Sequence, residues 1–97
     1  MMAATRAEVY AAIDGERDFQ DILWGPRDQA FSAAHERPAD FVIYIERYLN
    51  KAKAQLTDLP DPQAQEEALA TMRKIAALAV VCMEVNGAPR RGPEGPR

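Results

Sequence analysis

A chain of 97 residues, 47% apolar and 28% charged, is long enough for one small domain that buries a modest share of its surface. No apolar run approaches the roughly 20 residues that span a bilayer, Met1 to Glu8 holds no signal-like apolar stretch, and the lone Cys82 cannot close an internal disulfide. The expected setting is a reducing cytoplasm without a membrane partner, and a net charge of −3 argues against a general nucleic-acid binder, which would show a basic stripe; Arg90, Arg91 and Arg97 are a local exception.

Residues 1–4 read as a flexible start, residues 5–87 as one helical domain and residues 88–97, with three Pro, two Gly and three Arg, as a disordered tail. Thr5 followed by Glu8 is a capping box, each side chain satisfying a free backbone N–H at a helix start. A first helix over about 5–24 follows, with Val9, Ala12, Ile13, Phe19, Ile22 and Leu23 at helical spacing, a kink expected at Gly15 and a stop at Gly25-Pro26. Gly25 to Arg37 lacks a sustained period and reads as a loop, with one helical turn expected at Gln29 to Ala34. A connection of that length is a candidate binding element.

Pro38 suits a first helical turn and Asp40 complements the positive end of the helix dipole, so a second helix is expected over about 38–57. Its apolar face is Phe41, Val42, Ile45, Leu49, Ala52 and Leu56. Thr57 to Pro62 reads as a turn, and within it Asp61 as N-cap and Pro62 as first residue open a third helix over about 62–86, with Gly87 as its left-handed cap. This helix carries two apolar stripes, Leu69-Met72-Ala76-Ala79-Met83 and Ile75-Leu78-Cys82-Val85. The expected fold is all-α: a helical hairpin plus an N-terminal helix, in which the third helix is either wrapped by the other two or turns its second stripe toward a partner, so that homo-oligomerisation completes the bundle.

Two segments concentrate candidate chemistry. Glu16-Arg17-Asp18-Phe19-Gln20-Asp21-Ile22-Leu23-Trp24-Gly25, then His35 ten residues on, then a helix opening at a proline, resembles the start of phage and bacterial relatives of the MazG-like nucleoside triphosphate pyrophosphohydrolases. Arg73 to Glu84 is similar to the last long helix of those proteins, and the similar stretches together cover most of residues 8 to 88. The resemblance implies a helical scaffold that handles nucleotides through Mg²⁺, held by Glu-Glu-x-x-Glu on one helix and Glu-x-x-Asp on the next, where carboxylates one turn apart share a face.

This sequence departs from that pattern. The first motif falls on Glu46-Arg47-Tyr48-Leu49-Asn50 and keeps one carboxylate; the second falls on Thr71-Met72-Arg73-Lys74 and keeps none. Cations at the positions of hard-cation ligands oppose Mg²⁺ electrostatically, so family-type catalysis is not expected. The resemblance instead implies a phage-type accessory protein that binds a nucleotide or nucleotide signal without hydrolysing it. Arg17, Gln20, Asp21, Trp24, His35, Glu46, Arg47, Asn50 and Glu84 are its candidate residues, and Arg47, Lys51, Arg73 or Lys74 would meet phosphates directly. Two other readings stand beside it: an interaction module acting on a host defence or replication protein, and an active pyrophosphohydrolase whose metal is held by Asp21, Glu46 and Glu84. Mg²⁺ is implied only in the last.

Each candidate also has a plain structural role. Trp24 can cap a small core, His35 can be a solvated loop residue, and Arg17, Gln20 and Asp21 can form a polar helix face. Glu84, set among apolar residues, requires a partner such as Arg17 or a ligand.

Overall fold

The computed structural model describes residues 3–25 and 36–92. Three helices make up its regular structure: α1 (Arg6–Trp24), α2 (Pro38–Asp58) and α3 (Gln63–Asn86). No strand occurs among the described residues, so the fold class is all-α. The helical turn expected at Gln29 to Ala34, together with His35, lies outside the described residues, as do the first two and last five positions of the expected flexible ends.

Local chemistry sets the helix ends. The capping box at α1 is present in both halves: the Glu8 N–H donates to Thr5 Oγ1 at 3.2 Å, and the Thr5 N–H donates to Glu8 Oε1 at 3.2 Å. At the far end Gly25 takes φ +71° and its N–H donates to the Asp21 carbonyl at 2.9 Å, a conformation that a Cβ would penalise. Contrary to the expected kink, α1 runs unbroken through Gly15. One glycine among good helix formers weakens a helix without bending it. At the start of α2, Asp40 accepts from the Arg37 N–H at 3.0 Å and pairs with the Arg37 guanidinium, raising the Arg37 pKa above its ordinary value. The third helix starts one residue later than Asp61-Pro62 suggests: Pro62 is itself the cap, its carbonyl accepting from Gln65 and Glu66. Gly87 closes α3 at φ +107°.

α3 is the central helix. It packs along α2, joined through the short turn 59–62, and against α1. The core between α2 and α3 is Phe41, Leu78 and Val81, flanked by half-buried Ile45, Tyr48 and Cys82, with small Ala52, Ala64 and Ala77 fully packed. Phe41 also meets Tyr44 edge-on at 6.3 Å. Two polar links pin this hairpin. Buried Thr71 donates to Gln55 Oε1 at 2.9 Å, and Asn86 Nδ2 donates to the Glu36 carbonyl at 2.9 Å, tying the end of α3 to the approach of α2.

The expected apolar faces are sorted differently from the reading of the sequence. On α2, Phe41 and Ala52 are buried, whereas Val42, Leu49 and Leu56 are about half exposed or more. On α3, Leu78 and Cys82 of the second stripe reach the core while Val85 at its end is exposed; Leu69, Met72 and Met83 of the first stripe stay outside, and Val81, on neither stripe, is fully buried. α1 departs furthest. Its three buried residues are Glu16, Arg17 and Gln20, while Phe19, Ile22 and Leu23 face outward, Ile22 being 81% exposed.

Candidate functional site

The α1–α3 contact is polar. Ala77, with no exposed surface, lies between Arg73 and Glu84 on one face of α3, since these positions are four and seven residues apart. The small Ala77 side chain lets α1 approach closely, and α1 meets this face with Glu16, Arg17 and Gln20. Arg73 Nε donates to Glu16 Oε1 at 2.8 Å, and Arg17 Nε donates to Glu84 Oε2 at 2.6 Å. The two pairs are reciprocal, with the acid on α1 in one and on α3 in the other. Arg17 also reaches Asp21 one turn on, Nη2 to Oδ1 at 3.1 Å.

Arg17 is 7% exposed, and a buried guanidinium is tolerated only when paired. The hydrogen bond to Glu84, reinforced by Asp21, raises its pKa above the ordinary guanidinium value against the opposing effect of burial. It is therefore charged at every working pH. The expected pairing of Glu84 with Arg17 is present with the burial reversed: the Glu84 side chain is 52% exposed and Arg17 is the buried member.

Two buried atoms on this face of α1 are unsatisfied. Arg17 Nη1, a donor, and Gln20 Oε1, an acceptor, have no hydrogen-bond partner among the described residues although both are shielded from solvent. They belong to residues three apart on α1, hence on one face. A buried polar atom without a partner costs on the order of 1–3 kcal/mol, so each marks a place where a bound polar group would be stabilised. Trp24, one turn beyond Gln20, is about half exposed at the rim of this cluster.

Of the nine residues singled out in the sequence, Arg17, Asp21 and Glu84 are in direct contact, and Gln20 and Trp24 lie on the neighbouring turns of α1. Glu46, Arg47 and Asn50 are exposed on α2, outside this ion-pair cluster, and His35 is outside the described residues. Among the described residues neither Arg47 nor Lys51 is held in an ion pair, so both of these cations, one turn apart, are available to an anion. Arg73 is committed to Glu16. Asp21, Glu46 and Glu84 do not assemble, and among the described residues no three of His, Cys, Asp and Glu come together to hold a metal ion. Asp21 and Glu84 are instead drawn to Arg17.

Glu16 was not singled out in the sequence. A signal for it existed: Arg73 and Glu84 are eleven residues apart, three helical turns, and so share a face whose charges mirror the adjacent Glu16-Arg17. Comparisons of the chain with protein-family models, curated proteins and solved structures return no match. No helix among the described residues is long and apolar enough to cross a membrane.

Proposed function

We propose that this chain is a self-associating helical protein that binds a nucleotide, or a nucleotide-derived signal, without hydrolysing it, on a scaffold like that of the MazG-like pyrophosphohydrolases. The observation that carries the reading is the buried donor and acceptor, Arg17 Nη1 and Gln20 Oε1, on residues three apart on α1 and one turn from a half-exposed Trp24. A heterocyclic base offers an adjacent acceptor and donor on one edge and a flat face for an indole to stack on. The atoms are covered in the free protein, so binding requires a small outward movement of α1, whose polar seat on α3 makes such a movement cheaper than parting an apolar core. Arg17 itself does not take the phosphates, because Glu84 and Asp21 already offset its charge. That task falls to Arg47 and Lys51. Hydrolysis is left out because cations and amides occupy most of the positions where the resemblance calls for Mg²⁺ ligands.

A second reading, an interaction module for another protein, is favoured by the outward Phe19, Ile22 and Leu23 on α1. Thermal unfolding separates the two. A nucleotide at about a hundred times its dissociation constant adds roughly 2.7 kcal/mol to a binder. The expected result is a metal-independent rise in Tm with at least one canonical, deoxy or cyclic nucleotide, lost in Gln20→Met. A flat Tm across the panel removes nucleotide binding and leaves the interaction module.

A further inference from the structure

Self-association is part of the reading above; the structure goes further and gives the surface. On an α-helix at about 100° per residue, Leu69, Met72, Ala76, Ala79 and Met83 fall within an arc of about 80°, at alternating steps of three and four. All five charged residues of α3 (Glu66, Glu67, Arg73, Lys74 and Glu84) lie on other faces. The seam points away from both neighbours: the core line of Thr71, Leu78 and Cys82 faces α2, the line of Arg73, Ala77 and Glu84 faces α1, and along the seam Leu69, Met72 and Met83 are about half exposed while Ala76 and Ala79 are partly buried.

α2 carries a matching strip. Val42, Leu49 and Leu56, seven residues apart, are rotated about 80° from the line that packs on α3, and the α3 seam is rotated about 120° from its own core line in the same sense. In antiparallel neighbours, rotations of the same sense open on the same side of the hairpin. α1 sits on the other side, reached by rotation the opposite way. One face of the α2–α3 hairpin thus carries half-exposed apolar side chains that no described helix covers, and it is free of charge along the α3 seam.

We infer that this face is an isologous interface with a second copy of the chain, the two hairpins forming a four-helix bundle. Two features select a second copy. The α3 seam carries no charged residue, so it can face its own copy without setting like charges together. The six large side chains (Val42, Leu49, Leu56, Leu69, Met72 and Met83) are 43–64% exposed. On the order of 100 Å² each gives about 600 Å² per copy, and the two alanines add to it, close to the roughly 800 Å² per partner of a stable interface.

The test uses the full chain with Cys82→Ala as background and a single cysteine introduced by Ala76→Cys or, on α1, by Ile22→Cys, with mass from light scattering and disulfide formation under mild oxidation. The inference expects twice the 10.8 kDa chain mass and efficient cross-linking at position 76 but not at position 22. A dimer that cross-links at 22 and not at 76 overturns this surface while leaving self-association intact. A monomeric mass at micromolar concentration overturns both. Met72→Asp in the wild-type background supplies the converse: a helical monomer is expected, and a helical dimer contradicts the assignment.

Discussion

Arg17 and Glu84, 67 positions apart in the chain, meet at 2.6 Å, and the carboxylate is the exposed partner while the guanidinium is the buried one. The asymmetry decides what each substitution does. Removing Glu84 strands a buried cation with only Asp21 to balance it; removing Arg17 frees a carboxylate that water can solvate.

Glu84→Gln is accordingly expected to destabilise the protein by about 1–2 kcal/mol, below the full penalty of a buried pair because Glu84 is half solvated. Circular dichroism should show a fall in Tm of about 4–16 °C. An unchanged Tm contradicts the account of the α1–α3 contact.

The reciprocal pair Glu16–Arg73 lends itself to a charge swap. Either Glu16→Arg or Arg73→Glu alone sets like charges together over a buried position and is expected to cost about 2 kcal/mol or more, whereas the double exchange should recover a large part of that loss. Additive effects in a double-mutant cycle mean that the 2.8 Å contact carries no coupling.

Gly15 lies in the interior of an uninterrupted helix, and a Cβ built there meets nothing within 4 Å. Gly15→Ala should stabilise the protein by about 0.5–1 kcal/mol by removing backbone freedom from the unfolded chain. A lower Tm means that the position must bend.

Gln20→Met replaces an unsatisfied buried acceptor with an apolar side chain of similar size. In the free protein it is expected to be neutral or mildly stabilising, because a desolvated orphan atom is removed. With nucleotide present, the same substitution should abolish the rise in Tm. A loss of stability in the free protein shows that Gln20 Oε1 is satisfied there.

Leu78→Ala cuts into a core of three large buried residues, where deletions of this kind cost about 2–5 kcal/mol. In a domain this small that is a large part of the total stability. Chemical denaturation should show a collapse of the cooperative transition; a midpoint near wild type would place the core elsewhere.

Much of this architecture is legible in the sequence because its signals are local. Thr5 and Glu8, Pro38 and Asp40, Gly25 and Gly87 act on backbone groups within one turn, and their type and spacing along the chain bring them out. What stayed hidden is tertiary. Periodicity marks Val42, Leu49, Leu69 and Met72 as apolar but does not say which of two adjacent stripes meets the neighbouring helix, and on α1 the rule inverts: Glu16, Arg17 and Gln20 go in while Phe19 and Ile22 stay out. Pairwise charge complementarity across 57 and 67 positions sets that orientation, and hydropathy carries no trace of it. In the candidate site, the resemblance pointed to Arg17, Gln20, Asp21, Trp24 and Glu84, which the fold gathers on or against α1. It also pointed to Glu46, Arg47 and Asn50, which lie on the exposed surface of α2.

A chain that holds a nucleotide without hydrolysing it returns the ligand unchanged. Isothermal titration of the full chain with the nucleotide giving the largest thermal shift, with and without Mg²⁺, followed by chromatography of the recovered ligand, tests this directly. Saturable binding that does not need the metal, loss of binding in Gln20→Met, and intact nucleotide at the end are expected. Binding heat that appears only with Mg²⁺, together with released pyrophosphate, contradicts it.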